Sequence, residues 1–310
     1  MARFNLGKKQ AIDSLVSGLP SSAYQKNPFF PDLLRQPDIL IIPRQGKMVV
    51  TFMYASPRHI GWHSALAWVE DLIEVKLNVG DYVITTALVF AESDEVTMAP
   101  DVGQLLSSTF EGFLLPHEWK PSLFDRVLYE RLVGLEPKRA LDNFLHEERY
   151  QASKSLDRFG PERYARLVDR GREPELHPRE LAAVVRERLS LPSGEQLADR
   201  PLVPNIKGYL GKLGRRYSFE FDLGIGASVA IEVIRAARYG SREKIRYLMA
   251  KARMLRYEVD GDRLYSRGGR FRPVLVVDGN LSGPDHDPYR YVRALLSVGW
   301  ELFSIDQLAL

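Results

Sequence analysis

The same order of predicted elements occurs twice in this chain of 310 residues, and the repetition limits the folds it can adopt. In the first part, two short apolar runs, residues 39–42 and 48–53, are separated by turn residues. A stretch with helical spacing follows at 62–77, and a strand-like run lies at 82–91. This part predicts an α/β lobe with the order strand, strand, helix, strand.

The second part repeats this order and extends it. Residues 217–223 and 229–235 are predicted strands, and Ser241 is suited to begin the helix that follows. The continuous apolar run at 273–277 is typical of a strand covered on both faces. A second helix from Asp287-Pro288 to Gly299 and an edge strand at 301–305 complete this lobe.

Charged helices are predicted between the two lobes, because apolar residues keep recurring there at helical spacing. The expected domains are therefore an N-terminal α/β lobe at 1–123, a helical connector at 124–205 and a C-terminal lobe at 206–310. A chain that is 45% hydrophobic at this length is sufficient for two cores.

Composition excludes several kinds of site. The sequence has no cysteine, so disulfides, thiolate zinc sites and cysteine nucleophiles are ruled out, and any metal must bind oxygen or imidazole. No window approaches the roughly 18 uncharged apolar residues of a spanning helix, and the start of the chain has no obvious targeting signal. We therefore expect a cytoplasmic protein without a membrane partner.

Positive charge is concentrated in one region. The net charge is +3, but residues 205–272 carry 16 basic and 7 acidic side chains, whereas residues 1–130 carry 11 basic and 15 acidic ones. A local excess of this size is typical of a surface that binds phosphates. It is equally compatible with a solvated surface in an arginine-rich protein.

Two carboxylates are predicted to converge in the C-terminal lobe. Asp222 lies on the first predicted strand and Glu232 on the second, ten residues later across a glycine-rich turn. Adjacent antiparallel strands bring such residues together, and we expect their carboxylates about 4–6 Å apart, close enough to share one hard cation. Two carboxylates at a sheet end suit Mg²⁺, which can activate water and neutralise charge on a phosphodiester.

The segments FEFDLGIGASVAIEVIRA and FRPVLVVDGNLSGPDHDPYRYVRALLSVGWELFSIDQL, with the lysine-bearing helix between them, resemble the core of the PD-(D/E)XK superfamily. Many restriction endonucleases belong to it. The resemblance covers about residues 215–310 and implies that Asp222 and Glu232 bind Mg²⁺ or Mn²⁺. In the family, a lysine two residues after the Glu helps to orient the water and stabilise the transition state.

Ile234 occupies that lysine position here, and an isoleucine can neither orient water nor neutralise charge. Lys244 and Lys251 lie seven residues apart on the next predicted helix, so both fall on nearly one face. Lys244 is the preferred replacement, because it lies nearer the helix start and the sheet end. The cations expected to contact nucleic acid are Arg215, Arg216, Arg235, Arg238, Arg242 and Lys251.

The N-terminal lobe is interpreted as a degenerate copy. Pro37-Asp38 matches the first acid of the family, whereas Thr51 and Met53 stand at the expected positions of the Glu and the Lys. Such a site would not bind metal in the usual way. Coincidence remains an alternative, because strand-strand-helix-strand is a common order.

The resemblance implies two restriction-endonuclease-like mixed-sheet lobes joined by a helical segment. The expected function is that of a metal-dependent DNA endonuclease of restriction or defence type. The alternative is an inactive nuclease-like subunit that binds nucleic acid or scaffolds a complex. DNA is the expected partner and RNA the alternative, and a homodimer and a multi-subunit complex both stay open.

Overall fold

The computed structural model describes residues 2–308 except 56–57, 81, 91–95, 119–125, 139–141, 178, 190–201, 210–217, 226–228, 237–241, 261–262 and 267–271. In 2–6, 126–127, 142–144, 147, 202–209, 218–225, 229, 254–260 and 263–266 the description covers the backbone alone. The chain divides into two compact units, residues 1–145 and 146–310, and each is considered by itself. Across the described ranges, no helix combines the length and the apolar character needed to cross a bilayer.

The first unit is built on a five-stranded mixed sheet. Its elements are α1 (Ala2–Val16), β1 (Tyr24–Lys26), β2 (Ile39–Ile41), β3 (Val49–Ala55), β4 (His59–Ile60), α2 (Trp62–Asn78), β5 (Ile84–Phe90), β6 (Thr97–Met98), α3 (Pro100–Thr109), β7 (Gly112–Leu114) and α4 (Arg126–Val133). The strand order is β1-β2-β3-β5-β7. The β1–β2 and β2–β3 pairs are antiparallel, and β5 and β7 continue the sheet parallel to β3. Strands β4 and β6 form a separate parallel pair.

The second unit has a five-stranded mixed sheet as well. Its elements are α5 (Asp142–Leu156), which begins in the first unit, then α6 (Leu181–Leu189), β8 (Leu202–Tyr209), β9 (Ser218–Ile225), β10 (Val229–Ala236), α7 (Arg242–Arg256), β11 (Tyr257–Asp260), β12 (Arg263–Ser266), β13 (Arg272–Gly279), α8 (Arg290–Ser297) and β14 (Glu301–Ser304). The strand order is β8-β9-β10-β13-β14. Strands β8, β9 and β10 are antiparallel, and β13 and β14 run parallel to β10. Strands β11 and β12 form a hairpin apart from this sheet.

The two sheets have the same topology. In each unit, a helix precedes three consecutive antiparallel strands, a helix leads from the third strand to a parallel fourth, and another helix leads to a parallel fifth. The third strands β3 and β10 therefore occupy equivalent positions, as do the helices α2 and α7 that follow them. This correspondence provides a position-by-position comparison of the two units.

Each sheet has a core on both faces, because side chains alternate along a strand. Val49 and Met53 of β3 pack with α1 and α4, whereas Tyr54 stacks on Trp68 of α2 with ring centroids 4.3 Å apart. In the second unit, Ile231 and Val233 of β10 pack against α6. Glu232 and Ile234 therefore belong to the opposite face of that sheet, the face covered by α7.

Most strands and helices predicted from the sequence are present, including the edge strand β14, whereas the outer strands β1, β7 and β8 were missed. β1 and β7 have three residues each, too few for a periodic pattern, and β8 contains Pro204, which is tolerated on an edge strand. The segment predicted as a helical connector is divided between the units. Leu128 and Leu132 of α4 belong to the first core, whereas Leu181 and Val185 of α6 belong to the second.

A buried ion pair closes one end of the first sheet. Lys76, near the end of α2, donates to Glu111 Oε1 at 2.6 Å and to the carbonyl of Val83, and both partners of the ion pair are 1% exposed. The second oxygen of Glu111 accepts the backbone N–H of Thr85 at 2.7 Å. The pair thereby joins α2 to the start of β5 and to the residue before β7.

Candidate functional site

Glu232 is the fourth residue of β10 and lies beside the strand that carries Asp222. The β9–β10 register pairs Ile231 with Leu223, and Glu232 and Asp222 are the next residues along these two adjacent strands. The prediction that the two acids lie on adjacent strands is confirmed for the backbone. The Asp222 side chain is outside the described part of the chain, so the expected separation of the carboxylates stays a prediction.

Lys251 of α7 provides a cation for Glu232. Its Nζ lies 2.5 Å from Glu232 Oε2 and 5.8 Å from the centroid of the Tyr247 ring. The lysine side chain is 2% exposed and that of Glu232 is 15% exposed. A charged pair in a mostly desolvated place interacts more strongly than one in water, and the remaining exposure leaves the carboxylate accessible to solvent ions.

The lysine that the structure places beside Glu232 is Lys251, whereas the sequence analysis preferred Lys244. Lys244 Nζ donates to the backbone carbonyl of Arg235 at 3.1 Å, at the end of β10. Lys251 lies about two helical turns further along α7 and reaches back to the middle of the strand. A lysine near the start of α7 lies beside the end of β10, whereas Glu232 lies in the middle of that strand. Closeness to the helix start therefore did not predict which lysine contacts Glu232.

Ile234 is 4% exposed and lies on the same face of β10 as Glu232. An apolar side chain therefore follows Glu232 on this face of the strand. The cation beside Glu232 comes instead from the helix that follows the strand, because Lys251 of α7 contacts the carboxylate.

Two of the six cations expected to contact nucleic acid are placed on the surface. Arg235 and Arg242 are exposed, one near the end of β10 and the other at the start of α7, and the Lys244 contact draws these two segments together. Lys251 is buried, so its assignment to a nucleic-acid surface is corrected. Arg215, Arg216 and Arg238 lie outside the described residues.

The donor atoms at this position suit a hard divalent cation. Carboxylate oxygens are preferred ligands of Mg²⁺, and one or two protein carboxylates, completed by water and substrate oxygens, are a common set. Glu232 supplies one and Asp222 would supply the second. Among the described side chains, no group of three or more His, Asp and Glu residues converges to hold a metal ion.

In the first unit, Asp38 directly precedes β2 and is hydrogen-bonded to β3. The β2–β3 register pairs Ile39 with Thr51, and the Asp38 N–H also donates to the Thr51 carbonyl, at 3.0 Å. Asp38 Oδ2 accepts the Met53 N–H at 2.6 Å. Phe52 and Tyr54 are the fourth and sixth residues of the third strand, as Glu232 and Ile234 are of β10. The assignment of Thr51 and Met53 to the family's Glu and Lys positions stays a prediction.

Arg35 lies at the centre of a polar cluster in this part of the first unit. Its Nη2 donates to the Met53 carbonyl at 2.8 Å and lies 3.4 Å from Asp38 Oδ2, and its Nη1 lies 3.2 Å from Asp71 Oδ2. The guanidinium carbon is 4.1 Å from the centroid of the Tyr54 ring. The Tyr54 hydroxyl donates to the same Asp71 oxygen at 2.7 Å.

Sequence reasoning did not find Arg35 or Asp71, although one signal pointed towards the helix. The stretch that forms α2 is largely apolar, yet its acids Glu70, Asp71 and Glu74 are all buried. A helix that is apolar around its circumference is expected to be buried, and acids within it must have partners. Nothing in the spacing identified Arg35 as the partner.

No family model matches this sequence, no curated protein matches it, and no solved structure matches it.

Proposed function

We propose that the protein is a metal-dependent nuclease of restriction or defence type that hydrolyses phosphodiester bonds in DNA, with its site in the second unit. The observation that carries the proposal is the placement of Lys251 Nζ 2.5 Å from Glu232, on the strand next to that of Asp222. Two acids on neighbouring strands and a lysine beside one of them are the three groups that the resemblance implies.

Each group has a defined task in this proposal. Asp222 and Glu232 would hold Mg²⁺ or Mn²⁺, which when bound supplies an activated water and neutralises charge on the phosphate. Lys251 keeps its ammonium group beside Glu232 and stabilises negative charge that develops on the phosphoryl oxygens. A fixed cation in a desolvated place is effective because it needs little reorganisation during the reaction.

Removal of the metal provides the direct test of this function. The protein is expected to nick or linearise plasmid DNA in the presence of Mg²⁺ or Mn²⁺, to lose this activity when a chelator is added, and to regain it when excess metal is restored. Gel electrophoresis of a plasmid, a linear duplex, a single strand and an RNA of the same sequence measures it. If none of the four substrates is cleaved with either metal, the nuclease assignment is contradicted.

We expect DNA binding to be strongly salt-dependent. If about six phosphates are contacted, affinity falls by roughly 10³-fold between 50 and 200 mM salt, because bound counterions are released. The double change Arg235→Ala and Arg242→Ala should lower the slope of log affinity against log salt by about 2. Arg44→Ala, an exposed arginine of the first unit, is the matched control. Fluorescence anisotropy measures both, and an unchanged slope in the double variant would contradict the position of the surface.

A catalytically inactive, DNA-binding subunit is the second candidate, and one observation favours it. Lys251 already neutralises Glu232, and a buried ion pair also lies between α7 and α5, where Arg253 contacts Glu148. Both pairs are compatible with a purely structural use of charge in this unit. In that case the salt-dependent binding persists while cleavage is absent with either metal.

A further inference from the structure

The oxygen atoms around Arg35 are those that a hard metal ion would select. Its two terminal nitrogens lie within 3.4 Å of three oxygens, one from each of Asp38 and Asp71 and the third from the carbonyl of Met53. Two carboxylates and a backbone carbonyl are common ligands of Mg²⁺ and Ca²⁺ in proteins. In this chain, the cation among them is a guanidinium group.

The position of this cluster matches the candidate site of the second unit. Asp38 directly precedes β2, the neighbour of β3, and Asp222 lies on β9, the neighbour of β10. Asp71 is the tenth residue of α2, and Lys251 is the tenth residue of α7. In both units, a charged side chain from this helix position reaches an ion-pair partner between the helix and the third strand.

The surrounding charges show why a cation is required here. Asp38 and Asp71 are 4% and 1% exposed, and Glu74 is buried nearby, where it accepts the Leu34 N–H. Lys8 contacts the other oxygen of Asp38 at 2.5 Å but is partly exposed. Burial opposes the charged form of Arg35, yet Tyr54, Asp71 and Asp38 outweigh burial and raise the pKa of Arg35 above its ordinary value.

We propose that Arg35 is a built-in cation that occupies the divalent-ion position of the first unit, and that Asp38 and Asp71 bind Mn²⁺ or Mg²⁺ once Arg35 is removed. The first unit of the natural chain then binds no divalent ion at this position, and the Asp222–Glu232 position is the one that depends on added metal. The proposal does not require cleavage activity, because its test measures metal binding.

The experiment counts bound Mn²⁺ in the full chain by equilibrium dialysis. Glu232→Ala serves as the background because it removes the candidate site of the second unit. In this background, Arg35→Ala is expected to raise tightly bound Mn²⁺ from zero to one per chain, and 1 mM Mn²⁺ should raise its Tm by roughly 5 °C. Arg35→Lys, which retains a cation, is the matched control and should bind none.

A further substitution locates the new ion. Asp38→Asn added to the Arg35→Ala chain should abolish the gained Mn²⁺ and the rise in Tm. If Arg35→Ala does not fold, Arg35→Gln keeps hydrogen-bonding atoms near the same oxygens without the charge and should gain the same ion. Absence of bound Mn²⁺ in every folded Arg35 variant would overturn the proposal, as would a gain that survives Asp38→Asn or that also occurs in Arg35→Lys.

Discussion

Lys251→Met is expected to lower the rate of metal-dependent DNA cleavage by about 10³-fold, the loss typical of removing a fixed group that stabilises transition-state charge. Methionine retains much of the volume of lysine, so the apolar stem remains packed while the ammonium group is lost. Glu232→Gln should cause a loss at least as large, because it removes a charged oxygen from the metal ligands. Single-turnover cleavage of a labelled duplex measures both changes.

Lys244→Met is the matched control, since it makes the same chemical change on the same helix. Lys244 donates to the backbone carbonyl of Arg235, whereas Lys251 contacts Glu232, so Lys244→Met should lower cleavage less than about tenfold. DNA binding should survive all three changes, because one charge among several phosphate contacts contributes little. A larger loss from Lys244→Met than from Lys251→Met would reverse the assignment of the lysines.

Ile234→Lys in the Lys251→Met chain tests whether the position of the lysine matters. It restores a cation on the face of β10 that carries Glu232, two residues further along the strand. Partial recovery of cleavage is expected if the two acids and the sheet provide the rest of the site. Ile234 is buried, so the Tm of this variant must be measured before its rate is interpreted.

Lys76→Met is expected to destabilise the first unit by about 3–5 kcal/mol, because it leaves Glu111 buried without its ammonium partner. The carboxylate still accepts the Thr85 N–H but loses the charge that offsets its desolvation. Urea unfolding followed by fluorescence gives the free energy. A two-state fit is appropriate only if the transitions of the two units are resolved.

The control for this change is a lysine in an exposed pair. Lys47 contacts Glu136, whose side chain is 84% exposed, and Lys47→Met should change stability by less than about 1 kcal/mol. The double change Lys76→Met with Glu111→Gln should recover part of the loss, since it removes the unpaired charge. Equal effects of Lys47→Met and Lys76→Met would show that burial does not determine the strength of the Lys76 pair.

The inner part of each sheet was predictable because its strands lie in apolar runs that are bounded by turn residues. Residues 273–277 were predicted as a strand covered on both faces, and β13 is buried from its second residue to its end. Three of the four edge strands were not predictable, because β1 and β7 are too short for a pattern and Pro204 weakens the signal of β8. The division of the central helices between two cores depends on tertiary packing, which periodicity does not contain.

For the candidate site, the sequence predicted the adjacent strands of the two acids but not the contacts of the cations. Asp222 and Glu232 were predicted from a turn whose length fixes the pairing of two adjacent strands. Lys251 was assigned to the nucleic-acid surface because helical spacing shows only that it shares a helix face with Lys244. The spacing does not show which residue of β10 each lysine lies beside. Arg35 comes from an irregular segment before β2, where no period relates a residue to its partners.

The order of strands along the chain has a consequence for folding during synthesis. All five strands of the first sheet lie within residues 24–114, and the second sheet begins at residue 202. With domains folding as they emerge from the ribosome, the N-terminal sheet can close its hydrogen-bond ladder before any strand of the second has been made. Two sets of strands with the same order could otherwise pair with each other. Separation in time protects a chain with two such sheets from exchanging strands between them.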